Sequence, residues 1–521
     1  MTRRFFIERS GFAYMAMMGL GLVPEAPAKA FNPERTVTGK KVIILGGGLA
    51  GLCSAFELGK LGYDCTLLEA RNRPGGRVWT VRNGTTETEI GGTAQTCQYE
   101  NGHYFNAGAG RIPHTHAITL HYCRELGLKL ETFINVNESA YLYMDGGSGA
   151  LANRVMRQRE FHNDLRGFTA ELLAKASDQH LLDQEMTKDD VEQLLSYLSI
   201  EGDLTPDKMY KATERRGYKV AQGGYHKPGE SSSPYRLLDY IRSGMFHPSL
   251  SNFGEYTLYQ QPPMLQPVGG MDAIPRAFEK ALPGKVRYGA EVLEIRKTEP
   301  GVRIVYRDQK TGKTTEIKGD YCICTIPLPV LRNIPSDLSP KVQKAADFVP
   351  YVNTGKIGIQ FKRRFWEEDD SIYGGLSKTN MDINQIIYPS QDMLGKGGVL
   401  WGYYNFNEKA VKLGNLSVKE REALALEQGS KIHPQYRKEF AAAFSLAWHK
   451  IPYNQGGWAN WSTEARARHY KALTEPDDEI YFAGEHVSYL TAWMAGALDS
   501  AREAVARLHK RVSEPVASNG K

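Results

Sequence analysis

Three glycines and one acid near the start of the sequence have the types and spacing of a dinucleotide-binding site. Gly46, Gly48 and Gly51 form the pattern GxGxxG, in which missing side chains let the backbone approach a pyrophosphate. Glu69 follows about 20 residues later, where a carboxylate accepts hydrogen bonds from ribose hydroxyls. An acid at this position favours NAD or FAD over NADP, whose 2′-phosphate needs a basic partner.

The elements that must position these residues are predicted in the right order. Residues 42–45 are an apolar run typical of a buried strand, residues 49–60 have helical spacing, and residues 65–68 form a second apolar strand. Leu49 and Ala50 then begin the helix whose N-terminus meets the pyrophosphate. A lone GxGxxG is weak evidence, whereas the complete βαβ unit ending in the acid is specific.

A second glycine-rich turn follows the acid and favours FAD. In RNRPGGRVWT, residues 71–80, Arg73 and Arg77 flank two glycines and can neutralise a diphosphate. GxGxxG followed by E-x-R-x-x-x-G-G-R resembles the double signature of the flavin amine oxidase family. The resemblance extends from about residue 40 to about residue 508.

Later segments resemble the same family in the same order. PVGGMDAIP, residues 267–275, looks like the return into the flavin domain, and AEVLEI, residues 290–295, like the strand beside the adenine. Residues 479–505 resemble the final strand, the acid beside the flavin linker, and the helix whose N-terminus faces the isoalloxazine. The resemblance implies cofactor contacts at Gly46, Gly48, Leu49, Ala50, Gly51, Glu69, Ala70, Arg71, Gly76, Arg77, Gly110, Arg111, Val292, Gly484, Glu485, Ala492, Trp493, Met494 and Ala497.

The patterns and the resemblance together predict an α/β fold with discontinuous domains. A Rossmann-like FAD-binding domain is expected, with a mixed-sheet substrate-binding domain and an inserted helical domain in which Thr187 and Asp190 mark a helix start. The expected boundaries are 1–35 for an N-terminal extension, 36–95, 264–332 and 470–512 for the FAD-binding domain, 96–136 and 333–469 for the substrate-binding domain, 137–263 for the helical domain and its connecting loop, and 513–521 for a flexible tail.

Three side chains are placed around the flavin by the resemblance. Lys356, in a strand-like run, matches the family lysine that holds a water against flavin N5 and is implicated in the reaction with oxygen. Trp458 stands where monoamine oxidases carry the cysteine joined to FAD, which implies non-covalent FAD. Trp493 matches one aromatic wall of the substrate site. The candidates for the second wall are Tyr388, Tyr403 and Tyr404.

One arginine stands among small residues in FNAGAGRIPHTH, residues 105–116. Arg111 occupies the place at which L-amino-acid oxidases, in a similar segment, bind the substrate α-carboxylate. A guanidinium offers a planar fork for two hydrogen bonds and stays charged. Pro113 helps to fix the direction of Arg111, while His114 and His116 have no assigned role.

These features favour an FAD-dependent L-amino-acid oxidase. The expected reaction is hydride transfer from the α carbon to flavin, giving a 2-oxo acid, ammonia and hydrogen peroxide. A monoamine or polyamine oxidase would have no use for Arg111, whereas an amino-acid 2-monooxygenase would share it and release an amide. A flavin-binding protein without turnover is the fourth interpretation. The sequence does not determine which L-amino acids are preferred.

The bulk composition excludes other classes of protein. The 521 residues are 41% hydrophobic, and the net charge of +6 includes no long basic run, so we expect a globular protein without a nucleic-acid partner. The six cysteines lack the spacing of a zinc site, which predicts free thiols and no metal. The expected partners are an L-amino acid and O2, and a homodimer or higher homo-oligomer is the commonest assembly.

The N-terminal segment has the order of an export signal. Arg3 and Arg4 precede a weakly apolar run and the small residues 26–30, which resembles a twin-arginine signal and implies a periplasmic or secreted protein. An ordinary extension would instead leave the protein cytoplasmic. The run is too short to cross a bilayer, and no other segment predicts a membrane span.

Overall fold

The computed structural model describes residue 31, residues 33–34 and residues 39–178, 186–251 and 257–514. The twin-arginine segment and the tail beyond residue 514 lie outside these ranges. Within the ranges, no helix combines the length and the apolar composition that crossing a bilayer requires. The described side chains also form no cluster of three or more potential metal ligands, and the cysteines are buried free thiols.

The strands of the described residues are numbered along the chain. They are β1 Lys41–Leu45, β2 Asp64–Leu68, β3 Thr80–Val81, β4 Thr86–Thr88, β5 Ala94–Thr96, β6 Phe105–Asn106, β7 Ile112–Pro113, β8 Leu130–Phe133, β9 Tyr141–Tyr143, β10 Val155–Arg157, β11 Tyr218–Val220, β12 Glu230–Ser231, β13 Met264–Pro267, β14 Val286–Arg287, β15 Ala290–Lys297, β16 Val302–Asp308, β17 Thr314–Gly319, β18 Tyr321–Cys324, β19 Thr354–Phe361, β20 Leu376–Thr379, β21 Gln385–Ile387, β22 Gly398–Phe406, β23 Phe440–Ala447 and β24 Ile480–Phe482.

The α-helices of the same residues are numbered in the same way. They are α1 Leu49–Lys60, α2 Ala117–Glu125, α3 Gln158–Asp178, α4 Lys188–Gly202, α5 Leu237–Ser243, α6 Pro248–Ser251, α7 Ala273–Lys280, α8 Leu328–Leu331, α9 Pro340–Phe348, α10 Phe365–Glu368, α11 Asn407–Gly414, α12 Val418–Ser430, α13 Tyr436–Glu439, α14 Thr463–Ala465, α15 Lys471–Thr474 and α16 Met494–Ser513.

A five-stranded parallel sheet, in the order β14-β2-β1-β18-β24, contains the predicted βαβ unit. Its central strand β1 is apolar throughout its buried part because both faces of the sheet are covered. Val42 and Ile44 face a core that includes Leu498 of α16, while Ile43 and Leu45 face a core that includes Ile304 of β16. The strand is therefore fixed in the middle of three layers, with its carboxyl end free to meet a ligand.

A seven-stranded mixed sheet, in the order β10-β9-β20-β21-β22-β19-β23, supplies a second wall of side chains. Along the β19–β22 pair, Ile357 faces Tyr403 but the next residue, Gly358, faces Trp401, so Gly402 is an extra residue in β22. A bulge of this kind reverses the alternation of side chains. It brings Trp401 and Tyr404, three residues apart, onto the face that carries Lys356.

Helices α3 and α4 pack against each other within the region predicted to be helical. The predicted helix start is confirmed: the Thr187 side chain accepts from the Asp190 backbone, and the Asp190 carboxylate accepts from the Thr187 backbone. Residues 223–234 are rich in Gly, Ser and Pro, which predicts a loop, but they include β12, and this strand pairs with β11. The paired residues are about ten positions apart, and the segment lacks the alternating apolar pattern that would predict a strand.

A buried ion pair ties the β4–β5 hairpin to α12. Arg421 donates from both terminal nitrogens to the carboxylate of Glu89 at 2.7 and 2.6 Å. The two side chains are only 3% and 9% exposed. Glu89 also accepts from the backbone nitrogen of Ala447 in β23, so three separate elements meet at one carboxylate.

We expect Arg421→Met to lower the free energy of unfolding by about 3 kcal/mol, because it leaves the Glu89 carboxylate buried without its cation. Urea-induced unfolding followed by tryptophan fluorescence measures the change. Arg468→Met is the matched control, since the Arg468–Glu464 side chains are 64% and 68% exposed and their pair contributes at most about 1 kcal/mol. An equal loss of unfolding free energy in the two variants would contradict the expectation that burial makes the Arg421–Glu89 pair the more important one.

Candidate active site

A cavity of about 680 Å³ opens at the carboxyl end of the parallel sheet. Gly46, Glu69, Thr325 and Gly484 line it, and each follows the end of one strand, β1, β2, β18 and β24 respectively. This is the edge at which open α/β sheets bind nucleotides.

The glycines after β1 have distinct reasons to be glycine. Gly46 has a φ of +103°, and a Cβ at Gly51 would lie 2.0 Å from the Gly46 carbonyl oxygen, so the turn packs directly on the helix. A Cβ at Gly48 would meet no protein atom within 4 Å, and Gly48 lines the cavity. Gly46 and Gly51 therefore shape the turn, while Gly48 leaves room for a ligand.

Two helix N-termini lie at this cavity. Gly48 is the N-cap of α1 and Trp493 is the N-cap of α16, and neither helix has a side chain that caps its free N–H groups. Both N-caps line the cavity. Uncapped helix N-termini carry partial positive charge and free donors, which suit the oxygens of a diphosphate.

Charged side chains complete the surroundings of the cavity. Glu69 accepts from the backbone nitrogens of Gly47 at 2.6 Å and Arg71 at 2.7 Å, and burial raises the pKa of its carboxyl. Arg73 lies in the same turn but outside the cavity wall, and its Nη1 atom donates to the carbonyl oxygens of Pro74 and Gly76. Glu69 in the wall is an acceptor that fits the ribose of a dinucleotide such as FAD.

Arg77 and Glu485 join the two ends of the chain across the cavity. Their side chains form an ion pair of 2.7 Å, and Glu485 also accepts from the backbone nitrogen of Ala459 at 3.2 Å. Glu485 is thereby fixed beside the loop that continues to α16.

Most of the residues that the sequence singles out lie in the wall of this first cavity. Gly51 does not, because it packs beneath the turn, and Gly110 and Arg111 lie in a neighbouring cavity instead. The residues in the wall are Gly46, Gly48, Leu49, Ala50, Glu69, Ala70, Arg71, Gly76, Arg77, Val292, Lys356, Gly484, Glu485, Ala492, Trp493, Met494 and Ala497.

The neighbouring cavity has a volume of about 690 Å³ and shares part of its wall with the first. Lys356, Tyr404, Trp458 and Trp493 line both cavities, so a molecule in the second would meet the contents of the first between these side chains.

Arg111 is the principal charge of the second cavity. Its Nη2 atom donates to Gln260 Oε1 at 2.9 Å, and its Nε atom is buried without a partner. No carboxylate of the described ranges lies within ion-pair distance of this guanidinium. Burial lowers the pKa of Arg111. A partly buried cation without a counterion is costly, so the arrangement favours an anionic ligand.

Lys356 lies at the junction of the two cavities. Its Nζ atom donates to the carbonyl oxygen of Gly108 at 2.6 Å and lies 3.8 Å from the ring centre of Trp401. Burial, and then the charge of Arg111, lower the pKa of Lys356 well below its ordinary value. A lowered pKa makes Lys356 a readier proton donor than an exposed lysine.

Aromatic side chains line much of the second cavity: Trp401, Tyr404, Phe406, Trp458 and Trp493. Of the three candidate tyrosines, Tyr404 alone lines the cavity. Tyr403 is buried in a core on the other face of β22, and the Tyr388 hydroxyl is buried between Ser377 and a histidine. The role of Trp493 as a wall of a substrate site stays a prediction.

His116, which has no role in the sequence interpretation, supports Trp493 from behind. The two rings meet edge to face with centres 5.0 Å apart. Burial lowers the pKa of His116 to about 4, so the ring is neutral at ordinary pH. Gln260 and Trp401 are further residues that the sequence does not single out, because their contacts to Arg111 and Lys356 join distant parts of the chain.

Comparisons with known proteins identify the family of the chain. The profile of a family described as flavin containing amine oxidoreductase matches residues 49–509. The Bacillus subtilis (strain 168) protein YobN is 30% identical over 477 residues, covering 88% of this chain and 93% of that protein. An L-amino-acid oxidase of Siganus canaliculatus is 27% identical over 497 residues, covering 91% of this chain and 86% of that protein.

A solved structure of a putrescine oxidase variant superimposes with a TM-score of 0.59 at 17% identity, covering 91% of this chain and 99% of that one. At this identity the likeness establishes the fold, which is a mixed α/β fold similar to that of flavin amine oxidases. Because the family profile matches most of the chain, the protein belongs to the flavin containing amine oxidoreductase family.

Proposed function

We propose that the protein is an L-amino-acid oxidase that binds FAD non-covalently. The observation that carries this proposal is Arg111, a partly buried cation in a cavity beside the dinucleotide site, with no carboxylate partner among the described residues. An α-carboxylate supplies the missing charge and can take both hydrogen bonds of the guanidinium fork. A simple amine supplies neither.

The first cavity has the groups that FAD requires. The N-termini of α1 and α16 would hold the diphosphate and face the ring system, and Glu69 would accept from the ribose. When bound, FAD accepts a hydride from the α carbon and passes electrons to oxygen. No cysteine lies in the described wall of this cavity, and Trp458 occupies part of it, which supports non-covalent binding.

Catalysis by the protein itself is chiefly orientation. Arg111 fixes the carboxylate, and the rings of Tyr404 and Trp493 limit how the α carbon can turn while they exclude water. The α hydrogen is thereby directed at the shared wall of the two cavities. The released imino acid hydrolyses to a 2-oxo acid and ammonia.

Lys356 is proposed to assist the reaction with oxygen. Its lowered pKa makes it a readier proton donor, and from the junction it can hold a water molecule and exchange a proton with it. An oxidase releases hydrogen peroxide, whereas a 2-monooxygenase with the same scaffold would release an amide. A peroxidase-coupled assay beside mass spectrometry of the organic product separates these outcomes.

Arg111→Ala should raise the KM for L-phenylalanine by at least about a hundredfold with a smaller effect on kcat, because it removes two charge-assisted hydrogen bonds of about 1.5–3 kcal/mol each. Steady-state kinetics at equal flavin content measure the change. Phenethylamine, which lacks the carboxylate, is the matched control substrate and should lose nothing in the variant. Unchanged kinetics with L-phenylalanine would remove the carboxylate role of Arg111.

Lys356→Met should slow reoxidation of the reduced enzyme by oxygen about a hundredfold, as loss of a proton-transfer group does. Stopped-flow absorbance at the flavin band gives this rate, and anaerobic reduction by substrate should change less than tenfold. Lys362→Met is the control, because Lys362 lies just after β19 and is exposed. If reoxidation kept its rate in Lys356→Met, Lys356 would have no part in the oxygen reaction.

A further inference from the structure

Three carboxamide side chains in the wall of the second cavity are held by the same kind of hydrogen bond. In each of them the amide nitrogen donates to a backbone carbonyl oxygen. The bonds run from Asn135 Nδ2 to Gln260 O (2.9 Å), from Gln158 Nε2 to Leu376 O (2.5 Å) and from Asn384 Nδ2 to Tyr404 O (3.3 Å). Because a carbonyl oxygen can only accept, these contacts determine which end of each amide is the nitrogen.

The amide oxygens of Gln158 and Asn384 are therefore the ends left for a ligand in the cavity. Asn135 Oδ1 is buried with no hydrogen-bond partner and is not open to the cavity. Asn135 and Gln158 are only 6% and 4% exposed, so bulk water does not readily satisfy them. No hydrogen bond from the described residues reaches Gln158 Oε1 or Asn384 Oδ1. A buried acceptor without a donor costs free energy, which a ligand that supplies the donor recovers.

We propose, resting on the proposed function, that the side-chain part of this cavity accepts amino acids whose side chains end in N–H donors. L-Glutamine presents two such donors without a charge, and guanidinium or ammonium side chains present more. An apolar side chain would leave the amide oxygens unpaired. A side-chain carboxylate has no donor, and its oxygens would repel the amide oxygens.

Matched substrates test this inference. We expect kcat/KM for L-glutamine to exceed that for L-glutamate and for L-norleucine by at least about tenfold, the value of one or two hydrogen bonds. L-Arginine and L-lysine show whether a charged donor is also accepted, and they are interpreted separately because the ammonium of Lys378 lines the same cavity. L-Norleucine or L-glutamate turning over as well as L-glutamine would overturn the inference.

The same panel separates failure of this inference from failure of the proposed function. L-Alanine has a side chain too short to reach a distant acceptor, so it reports only on the amino-acid reaction. If L-alanine and L-norleucine bleach the flavin anaerobically but L-glutamine is not preferred, only the inference about the amides fails. If no L-amino acid bleaches the flavin, the oxidase function fails as well.

Gln158→Met tests the acceptor directly, because methionine keeps the length and removes the amide oxygen. The preference for L-glutamine over L-norleucine should fall about tenfold. Gln343→Met is the matched control, since Gln343 also donates from Nε2 to a backbone carbonyl, that of Leu338, but lies outside the cavity. An unchanged preference in a Gln158→Met protein with wild-type melting temperature would overturn the role of Gln158.

A second variant keeps the test decisive if Gln158→Met does not fold. Asn384 has a φ of +61°, which glycine adopts freely, so Asn384→Gly removes an amide oxygen while it preserves the backbone. The preference for L-glutamine should again fall several-fold, with L-norleucine unaffected. Equal changes for both substrates would indicate general damage and contradict recognition through the amide.

Discussion

The site depends on a positive charge that the protein partly buries without pairing it with a carboxylate of the described residues. Arg111 follows Gly110, whose backbone packs so closely on the indole of Trp401 that a Cβ would lie 2.0 Å from it. The residues directly after Arg111 pair with β13, so the guanidinium starts from a fixed stretch of backbone. Its field then lowers the pKa of Lys356, which adds to the effect of burial. The same unpaired cation thus contributes to the low pKa of the nearest amine and favours an anionic ligand.

Two sheets of different kinds contribute to the walls of the two adjoining cavities. The parallel sheet ends at the first cavity with glycines and Glu69, where short turns leave backbone donors accessible. The antiparallel pair β19–β22 contributes flat aromatic side chains and Lys356 to both cavities. Helix α16 links them, because its N-cap Trp493 lies in both walls. The first cavity therefore offers backbone donors to a ligand, whereas aromatic rings bound the second cavity.

Local patterns in the sequence were enough to predict the βαβ unit, the helix start at Thr187 and most of the residues that line the first cavity. The βαβ unit, Glu69 and the Thr187 cap each depend on residues close together in the chain, and the structure has these elements where the sequence places them. The choice among Tyr388, Tyr403 and Tyr404 could not be made from alternation, because the extra residue Gly402 reverses the faces of β22. The contact of Arg111 with Gln260 spans 149 positions, and only the folded chain reveals it. Domain boundaries are likewise a matter of packing, since the sheets take strands from distant segments.

The two uncapped helix N-termini have a consequence for the life of the protein before any substrate arrives. The free N–H groups of these two helices bind a diphosphate only when the chain is folded. Binding and folding are therefore coupled equilibria. A ligand present at about 100 times its dissociation constant adds about 2.7 kcal/mol to the native state. A chain that meets the dinucleotide during synthesis would then spend less time unfolded and open to proteolysis than one that does not.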